Sequence, residues 1–338
     1  LREYDIRGVV GDNINQNTAY TIGRTFGYTV INRLQSNIIA SGYDGRLTSP
    51  DLHQALCEGL KDSGAKVINI GMGPTPMTYF AHHHLNADAA IMVTGSHNPS
   101  EYNGFKIVIN NSSFKEEDIQ NLKFKIEQSD FKIGSGKLLK ESFNESYIKE
   151  ISKKIEIKKK LKIVLDCGNG SGGVLGPEIL RKYSSELIEL FCEVDGNFPN
   201  HHPDPSEPKN LLNLIETVKI EGADLGIALD GDGDRLGVVD SEGEIIFPDR
   251  YLALMAEDTL KKNKSGKIVF DVKCSNKLDQ VIRENNGVPI MTKTGHSFIK
   301  SEIARTDAVL GGEMSGHIFY NDNWYGFDDA IFASLRLI

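Results

Sequence analysis

Short apolar runs that end in polar, turn-prone loops recur along the chain. Three of them are alike: "NIIASGYDGR" (37–46), "KIVLDCGNG" (162–170) and "KIVFDVKCS" (267–275). Branched apolar residues favour buried strands, and Gly, Asn and Asp favour the turns that end them. The three runs are spaced about one domain apart, so each is read as the opening of one repeat of a common α/β unit. The first shows the unit at length. After "NIIASGYDGR" comes a helical pattern with apolar Leu52, Ala55, Leu56 and Leu60, with Pro50 near its start and Gly64 just past its end, and then a second strand at 66–70. That order predicts a βαβ unit.

Two further patterns divide the chain. The lysine-rich, helix-like stretch "YIKEISKKIEIKKKLK" (147–162) separates the first repeat from the second, and the hairpin pattern "RLGVVDSEGEIIF" (235–247) ends just before Pro248, which starts another helix. The expected domains are 1–145, 146–246 and 247–338. A length of 338 residues fits two or three domains with real cores.

Composition narrows the function. No apolar run approaches the length of a membrane span. The net charge of −9, from 38 basic and 47 acidic residues, argues against a general nucleic-acid surface, so an anionic ligand must meet a local basic site. Cys57, Cys167, Cys192 and Cys274 show no CxxC spacing, which argues against a zinc knuckle or a disulfide framework and fits reduced thiols in a cytosol.

The chemistry concentrates in a few loops. In "ALDGDGDRLGVV", Asp230, Asp232 and Asp234 alternate with glycines directly after an apolar strand. The backbone can curve there and aim three carboxylates at one point. Hard oxygen ligands at that spacing call for a divalent cation, with Mg2+ the default. An EF-hand would need Gly at the sixth position and Glu at the twelfth, where Arg235 and Ser241 stand. "GGEMSGH" (311–317) gathers Glu313, Ser315 and His317, an acceptor, a hydroxyl and an imidazole suited to sugar hydroxyls. "GNGSGG" (168–173) lacks the Gly-Lys-Ser/Thr of a P-loop and reads as a strand-to-helix turn. "HHH" (82–84) and "HHPDP" (201–205) lack a further ligand cluster, and adjacent histidines in a strand point to opposite faces, so surface or hinge roles are expected.

The stretch "VTGSHNPSEYNGFKIV" (93–108) leaves the apolar strand "AAIMV" and re-enters an apolar strand at Phe105, with Lys106 placed in the turn-rich gap. Ser96 there is expected on an exposed loop. It is either a turn former or a nucleophile, and a cation loop elsewhere in the chain favours the second role. A serine can carry a phosphoryl group, a cation can neutralise its charge, and Lys106 can assist proton transfer.

"YDIRG" (4–8), "TGSHNPSEYNGFK", "HHPDPSEPKNL", "DGDGDR", "TGHS", "GGEMSGH" and "WYGFDDA" together resemble the α-D-phosphohexomutase family, in its bacterial phosphomannomutase/phosphoglucomutase branch, along essentially the whole chain. The resemblance implies four similar α/β domains with mixed sheets around a cleft. Three of them would lie in these residues, since nothing here matches the Arg-Ser-Asn-Thr type loop of the last, C-terminal domain, which puts full activity in question. It implies that a phosphate on Ser96 passes to a hexose phosphate, giving a hexose 1,6-bisphosphate that turns over and returns its other phosphate to Ser96. Asp230, Asp232, Asp234 and a phosphoserine oxygen of Ser96 would hold Mg2+, beside Arg235. Phosphoryl transfer asks mainly for positioning and charge neutralisation, which Arg7, Arg235 and Lys106 can supply. Lys106 is the first general acid/base candidate and Arg7 the second, and His97 and His296 orient the site. Tyr4, Lys273, His296, Glu313, Ser315 and His317 would contact substrate.

Two other readings compete. In phosphoglucosamine mutase the sugar loop usually carries Gln where this chain has Met314, and "EYNGFK" is not usual there. A truncated, non-catalytic sugar-phosphate binder would not require Ser96, Lys106 and all three aspartates. A cytoplasmic monomer or weak dimer acting on hexose phosphates, with neither nucleic-acid nor membrane partners, is the resulting expectation.

Overall fold

The computed structural model describes residues 6–110, 112–114, 116–129, 131 and 133–338. Tyr4 lies outside the described residues. Packing divides the chain into two compact units, Leu1–Tyr147 with Asp195–Asn197, and Ile148–Val194 with Phe198–Ile338.

In the first unit β1 (Ile6–Val9) and α1 (Gln16–Leu34) lead into β2 (Ile38–Tyr43), α2 (Ser49–Asp62), β3 (Lys66–Met72), α3 (Thr75–His84) and β4 (Ala89–Val93). The chain then returns through β5 (Tyr102–Ile109), the short β6 (Ser112–Ser113), α4 (Glu116–Glu127) and β7 (Lys137–Lys140), before α5 (Asn144–Lys154). The strands run β1-β5-β4-β2-β3-β7, with β6 on β5. β2 lies parallel to both β3 and β4, whereas β5 is antiparallel to β4 and β1. Leu52, Leu56 and Leu60 of α2 are buried with Ile39, Val67, Ile91 and Phe105 of the strands, as the 3.6-residue pattern predicts. α2 has Pro in its first turn, and Gly64 just beyond it takes a φ of +99°, so both boundary signals act as read.

The second unit repeats this plan twice. β8 (Lys162–Asp166), α6 (Gly176–Tyr183), β9 (Glu186–Leu190), α7 (Leu212–Glu221), β10 (Leu225–Leu229), β11 (Leu236–Asp240) and β12 (Ile245–Ile246) form one sheet and its helices. α8 (Pro248–Lys262), β13 (Lys267–Asp271), α9 (Asn276–Glu284), β14 (Val288–Thr292), α10 (His296–Thr306), β15 (Leu310–Gly312), β16 (Ile318–Tyr320) and α11 (Ala330–Leu337) form the other. The strand orders are β12-β11-β10-β8-β9 and β14-β13-β15-β16. β8 is parallel to β9 and β10, and β13 is parallel to β14 and β15. β11 and β16 then return antiparallel to β10 and β15. The three self-similar runs of the sequence are therefore β2, β8 and β13, each flanked on both sides by parallel strands. Strands in that position are buried on both faces, which is why they read as continuous apolar runs.

Four local expectations are corrected. Lys106 is not in a turn, because β5 already begins at Tyr102 and Lys106 pairs with Met92 in mid-strand. The lysine-rich stretch is helical only to Lys154, because its three consecutive lysines (158–160) continue no apolar stripe and Ile155 is buried beyond the helix end. The three histidines 82–84 form the last turn of α3, where His82 is buried rather than on a surface or hinge. His201 has a structural role, with Nε2 3.0 Å from the Asp166 carboxylate at the end of β8. "GNGSGG" is the strand-to-helix turn expected, leading through a short 3-10 turn at Ser171–Val174 into α6.

Candidate active site

Ser96 sits in the connection from β4 to β5 in a left-handed conformation, with φ at 49°. A non-glycine residue holds that conformation only when its surroundings over-determine it. Here they do. Thr94 Oγ1 accepts from the Ser96 amide at 2.8 Å and donates to Asp44 Oδ2 at 2.8 Å, and the same Asp44 oxygen accepts from the Gly95 amide. Arg46 completes the frame from beneath. Its five N–H groups meet five acceptors: Asp44 Oδ2 (3.2 Å) and the carbonyls of Ser96 (2.7 Å), Asn98 (2.6 Å), Pro99 (2.5 Å) and Tyr102 (3.0 Å). Gly95 permits this, since a Cβ there would lie 2.5 Å from the guanidinium carbon. Arg46 is 1% exposed, and so is Ser96, which corrects the expectation of an exposed loop.

Ser96 Oγ lies 3.2 Å from His97 Nδ1, and Arg7 donates from Nη1 to Asn98 Oδ1 at 2.7 Å. Arg7 pairs with Gly104 across the β1–β5 ladder, and Lys106 lies two residues further along β5. Residues opposite one another, and residues two apart on a strand, share a face. Arg7 and Lys106 thus stand on one face of the sheet, with Lys106 2% exposed. The structure brings Ser96, His97 and Arg7 onto or against one loop and places Lys106 on a neighbouring strand of the same unit. Arg46 and Asp44 were missed from sequence. The signal was there, in an Asp-Gly-Arg turn directly after a buried strand.

In the second unit, Asp230, Asp232 and Asp234 lie in the connection from β10 to β11, each with no exposed surface. Asp230 Oδ1 accepts from the amides of Asp234 (3.0 Å) and Arg235 (3.1 Å), which closes the loop on itself. One carboxylate oxygen from each aspartate falls within 4.8 Å of the others. Three converging, fully buried carboxylates repel strongly unless a cation joins them, and an all-oxygen donor set fits Mg2+. Arg235 extends from this loop, its Nη1 3.8 Å from Asp204.

The connection from β15 to β16 carries the second cluster. His317 Nε2 lies 3.1 Å from Asp234 Oδ1, and its Nδ1 lies 2.5 Å from Glu313 Oε1. Ser315 Oγ donates to Glu313 Oε1 at 2.6 Å, and the Gly295 amide donates to Glu313 Oε2 at 3.0 Å. Burial alone would lower the His317 pKa, but the charge and hydrogen bond of Asp234, joined by Glu313, outweigh it and raise it to about 9. Burial works against the Glu313 carboxylate too, yet the hydrogen bond and charge of His317 bring it down to about 2. The imidazolium therefore sits between two carboxylates as their internal counter-ion. Asp234, His317 and Asp328 also approach closely enough to hold a metal. Lys300 Nζ lies 3.0 Å from Asp328 Oδ1, so this cluster also holds an ion pair. Asp328 and Lys300 were not singled out from sequence, although Asp328 lies inside "WYGFDDA". His296 opens α10, 7% exposed, with Nδ1 3.8 Å from Asp328. Lys273 is exposed just beyond β13. Among the described residues no helix is long and apolar enough to cross a membrane.

Three family models match consecutive stretches: phosphoglucomutase/phosphomannomutase alpha/beta/alpha domain I over residues 1–133, domain II over 145–243 and domain III over 247–338. The chain belongs to the phosphoglucomutase/phosphomannomutase family. A phosphomannomutase/phosphoglucomutase of Pseudomonas syringae pv. tomato is 49% identical over 338 residues, all of this chain and 72% of that protein. A phosphoglucomutase of Neisseria gonorrhoeae is 44% identical over 340 residues, covering 74% of its length. Among solved structures, a phosphoglucomutase/phosphomannomutase family protein from Burkholderia thailandensis superposes with a TM-score of 0.96 at 44% identity, over 99% of this chain and 75% of that one. The family expected from the motifs is thus the family found, and with it three α/β domains with mixed sheets.

Proposed function

We propose that this chain is a phosphohexomutase that moves a phosphoryl group between the 1- and 6-positions of mannose or glucose phosphate. The observation that carries the reading is the union of family membership with a serine held at positive φ by a buried Asp–Arg frame. The names of the relatives favour mannose and glucose phosphates over the glucosamine reading. The domains are assigned to 1–145, 146–246 and 247–338.

Ser96 Oγ is the phosphoryl carrier. As phosphoserine it gives its phosphoryl group to a hydroxyl of the bound hexose phosphate, and the resulting hexose 1,6-bisphosphate, once turned over, returns the other phosphate to Ser96. Lys106, with Arg7 as second candidate, moves the hydroxyl proton. Arg7 and Arg235 neutralise phosphoryl oxygens, which is most of what such a transfer needs. His97 orients the serine. Glu313 and Ser315, fixed by His317, read sugar hydroxyls, and His296, Lys273 and Tyr4 complete the substrate contacts. Asp230, Asp232 and Asp234 would hold Mg2+, which would supply positive charge for phosphoryl transfer. The reading includes a cytoplasmic location and a monomer or weak dimer.

The test is intact-mass and peptide mapping after incubation with glucose 1,6-bisphosphate and Mg2+. One added phosphate on Ser96 is expected. A chain that stays unmodified, or carries the phosphate elsewhere, overturns the assignment. Coupled assays with mannose 1-, glucose 1- and glucosamine 1-phosphate then rank the substrates.

A further inference from the structure

β8 and β9 are parallel neighbours in register, Asp166 beside Leu190, and both chains turn directly after these residues. The turns bring together two cysteines that lie 25 residues apart in sequence. The Cys167 amide donates to Leu190 O at 3.1 Å, and Cys192 Sγ lies 3.2 Å from Cys167 Sγ. A disulfide needs a separation near 2.05 Å, so the sulfurs have only about 1.2 Å to close. The other two thiols sit differently, with Cys57 against His53 and Cys274 against Asp271.

We propose that Cys167 and Cys192 form a reversible dithiol–disulfide pair whose oxidation acts on the Asp230–Asp234 loop. The coupling half of this rests on the reading of that loop as the Mg2+ site; the disulfide half does not. Cys192 is half-buried and Cys167 fully buried, so an external oxidant meets Cys192 first. The contact with Cys192, together with burial, also holds the Cys167 thiol well above its usual range. With a small-molecule disulfide as oxidant, the Cys192 thiolate attacks one sulfur and expels one thiolate. Cys167 then loses its proton to the expelled thiolate and attacks the Cys192 sulfur of the mixed disulfide, expelling the second thiolate, which takes up the Cys192 proton. Two protein thiols lose two electrons and two protons, and the small disulfide becomes two thiols.

The route to the aspartates is short. Gly170 N donates to Cys167 O at 2.8 Å, and Ser171 donates to Gly231 O from its amide at 2.9 Å and from Oγ at 3.2 Å. Asn169 Nδ2 donates to Glu193 O at 2.8 Å, which ties the same loop to the residue after Cys192. There is no slack, because a Cβ on Gly170 would sit 2.8 Å from Gly231 O and 2.9 Å from Gly231 Cα. Gly231 lies between Asp230 and Asp232. Closing the sulfurs moves the frame on which that pair of carboxylates is set.

The experiment incubates the full chain with oxidised glutathione and reads intact mass, non-reducing peptide maps and Mg2+ affinity by calorimetry. Expected are a loss of two hydrogens, a Cys167–Cys192 linked peptide that dithiothreitol reverses, no such link in Cys192→Ser or Cys192→Ala, and Mg2+ affinity at least threefold weaker in the oxidised chain. A stable glutathione adduct on Cys192 with no cross-link, or no reaction, overturns the pair. A cross-link with unchanged Mg2+ affinity overturns the coupling. A reduced chain that binds no Mg2+ defeats the metal reading and the coupling together, while the mass measurement still decides the disulfide.

Discussion

Replacing Arg46 by Met keeps an unbranched apolar stem and removes all five donors of its guanidinium. Four loop carbonyls and the Asp44 carboxylate then lose a partner in a site that is about 1% exposed. Removing one side of a buried, hydrogen-bonded charge pair costs about 3–5 kcal/mol, because the other side stays buried and uncompensated. For a unit of this size that is a fall in melting temperature on the order of 10 °C. Arg46→Lys should recover only part of this, since an ammonium offers three donors from one point and cannot span acceptors from Asp44 to Tyr102. The second consequence is chemical. The strained φ of Ser96 persists because Arg46, Thr94 and Asp44 impose it, so either variant should lower the rate of Ser96 phosphorylation by more than tenfold under conditions where the chain remains folded. Calorimetry gives the first quantity, and quenched-flow mass spectrometry with glucose 1,6-bisphosphate gives the second. A melting shift below ~2 °C, or a folded Arg46→Lys chain that is phosphorylated at the wild-type rate, would show that the frame does not position the serine.

Ser96→Ala removes the hydroxyl that lies 3.2 Å from His97 Nδ1 and should abolish phosphate uptake while the chain still folds; a variant that still gains the phosphate refutes the carrier assignment. Asp232→Asn removes one of three buried anionic oxygens and should weaken Mg2+ binding at least about tenfold by calorimetry, equivalent to roughly 1.4 kcal/mol. Equal affinities would count against the loop. His53 is 2% exposed beside Ser41 and Cys57, and burial lowers its pKa to about 4 against an ordinary value of 6.5. The unfolded chain therefore binds a proton that the folded chain refuses. His53 contributes stability that is fully present above pH 6.5 and is lost as pH falls from there to about 4, up to about 3 kcal/mol. His53→Gln should flatten that part of the stability profile, and parallel wild-type and variant profiles between pH 7 and 4 would refute the assignment.

What the sequence disclosed, and what it hid, follows from the range of the interactions. β2, β8 and β13 were legible because a strand with parallel neighbours on both sides is apolar along its whole length. α2 was legible because its stripe, proline and glycine are all local signals. The aspartate triplet was legible because three ligands fall within five residues. Arg46 was only half legible: the Asp-Gly-Arg turn after β2 marks the position, but four of its five acceptors lie between Ser96 and Tyr102, about fifty residues away. Ser96 reads as exposed in the sequence because a polar loop ordinarily is, and its burial comes from residues about fifty positions away. Cys167 and Cys192 looked scattered because their proximity is a property of strand register.

The three sheets carry the argument one step further, because their chemistry sits at equivalent places. In each, a central parallel strand ends in a buried aspartate or leads directly to one: Asp44 after β2, Asp166 at the end of β8 and Asp271 at the end of β13. In each, the candidate loop is the connection from the third parallel strand to the antiparallel one: Ser96 between β4 and β5, the aspartates between β10 and β11, and Glu313 to His317 between β15 and β16. The first loop supports the second every time. Asp44 accepts from the Gly95 amide, Ser171 beyond Asp166 donates to Gly231, and Asp271 accepts from the Met314 amide at 3.3 Å. A tight reversal from a parallel to an antiparallel strand leaves backbone groups that the ladder cannot satisfy, and a polar side chain at the end of the neighbouring strand is placed to meet them. The same fold unit thus offers one rigidly supported loop per copy, and the residues set on it, a hydroxyl, three carboxylates or a carboxylate with an imidazole, decide what each copy contributes.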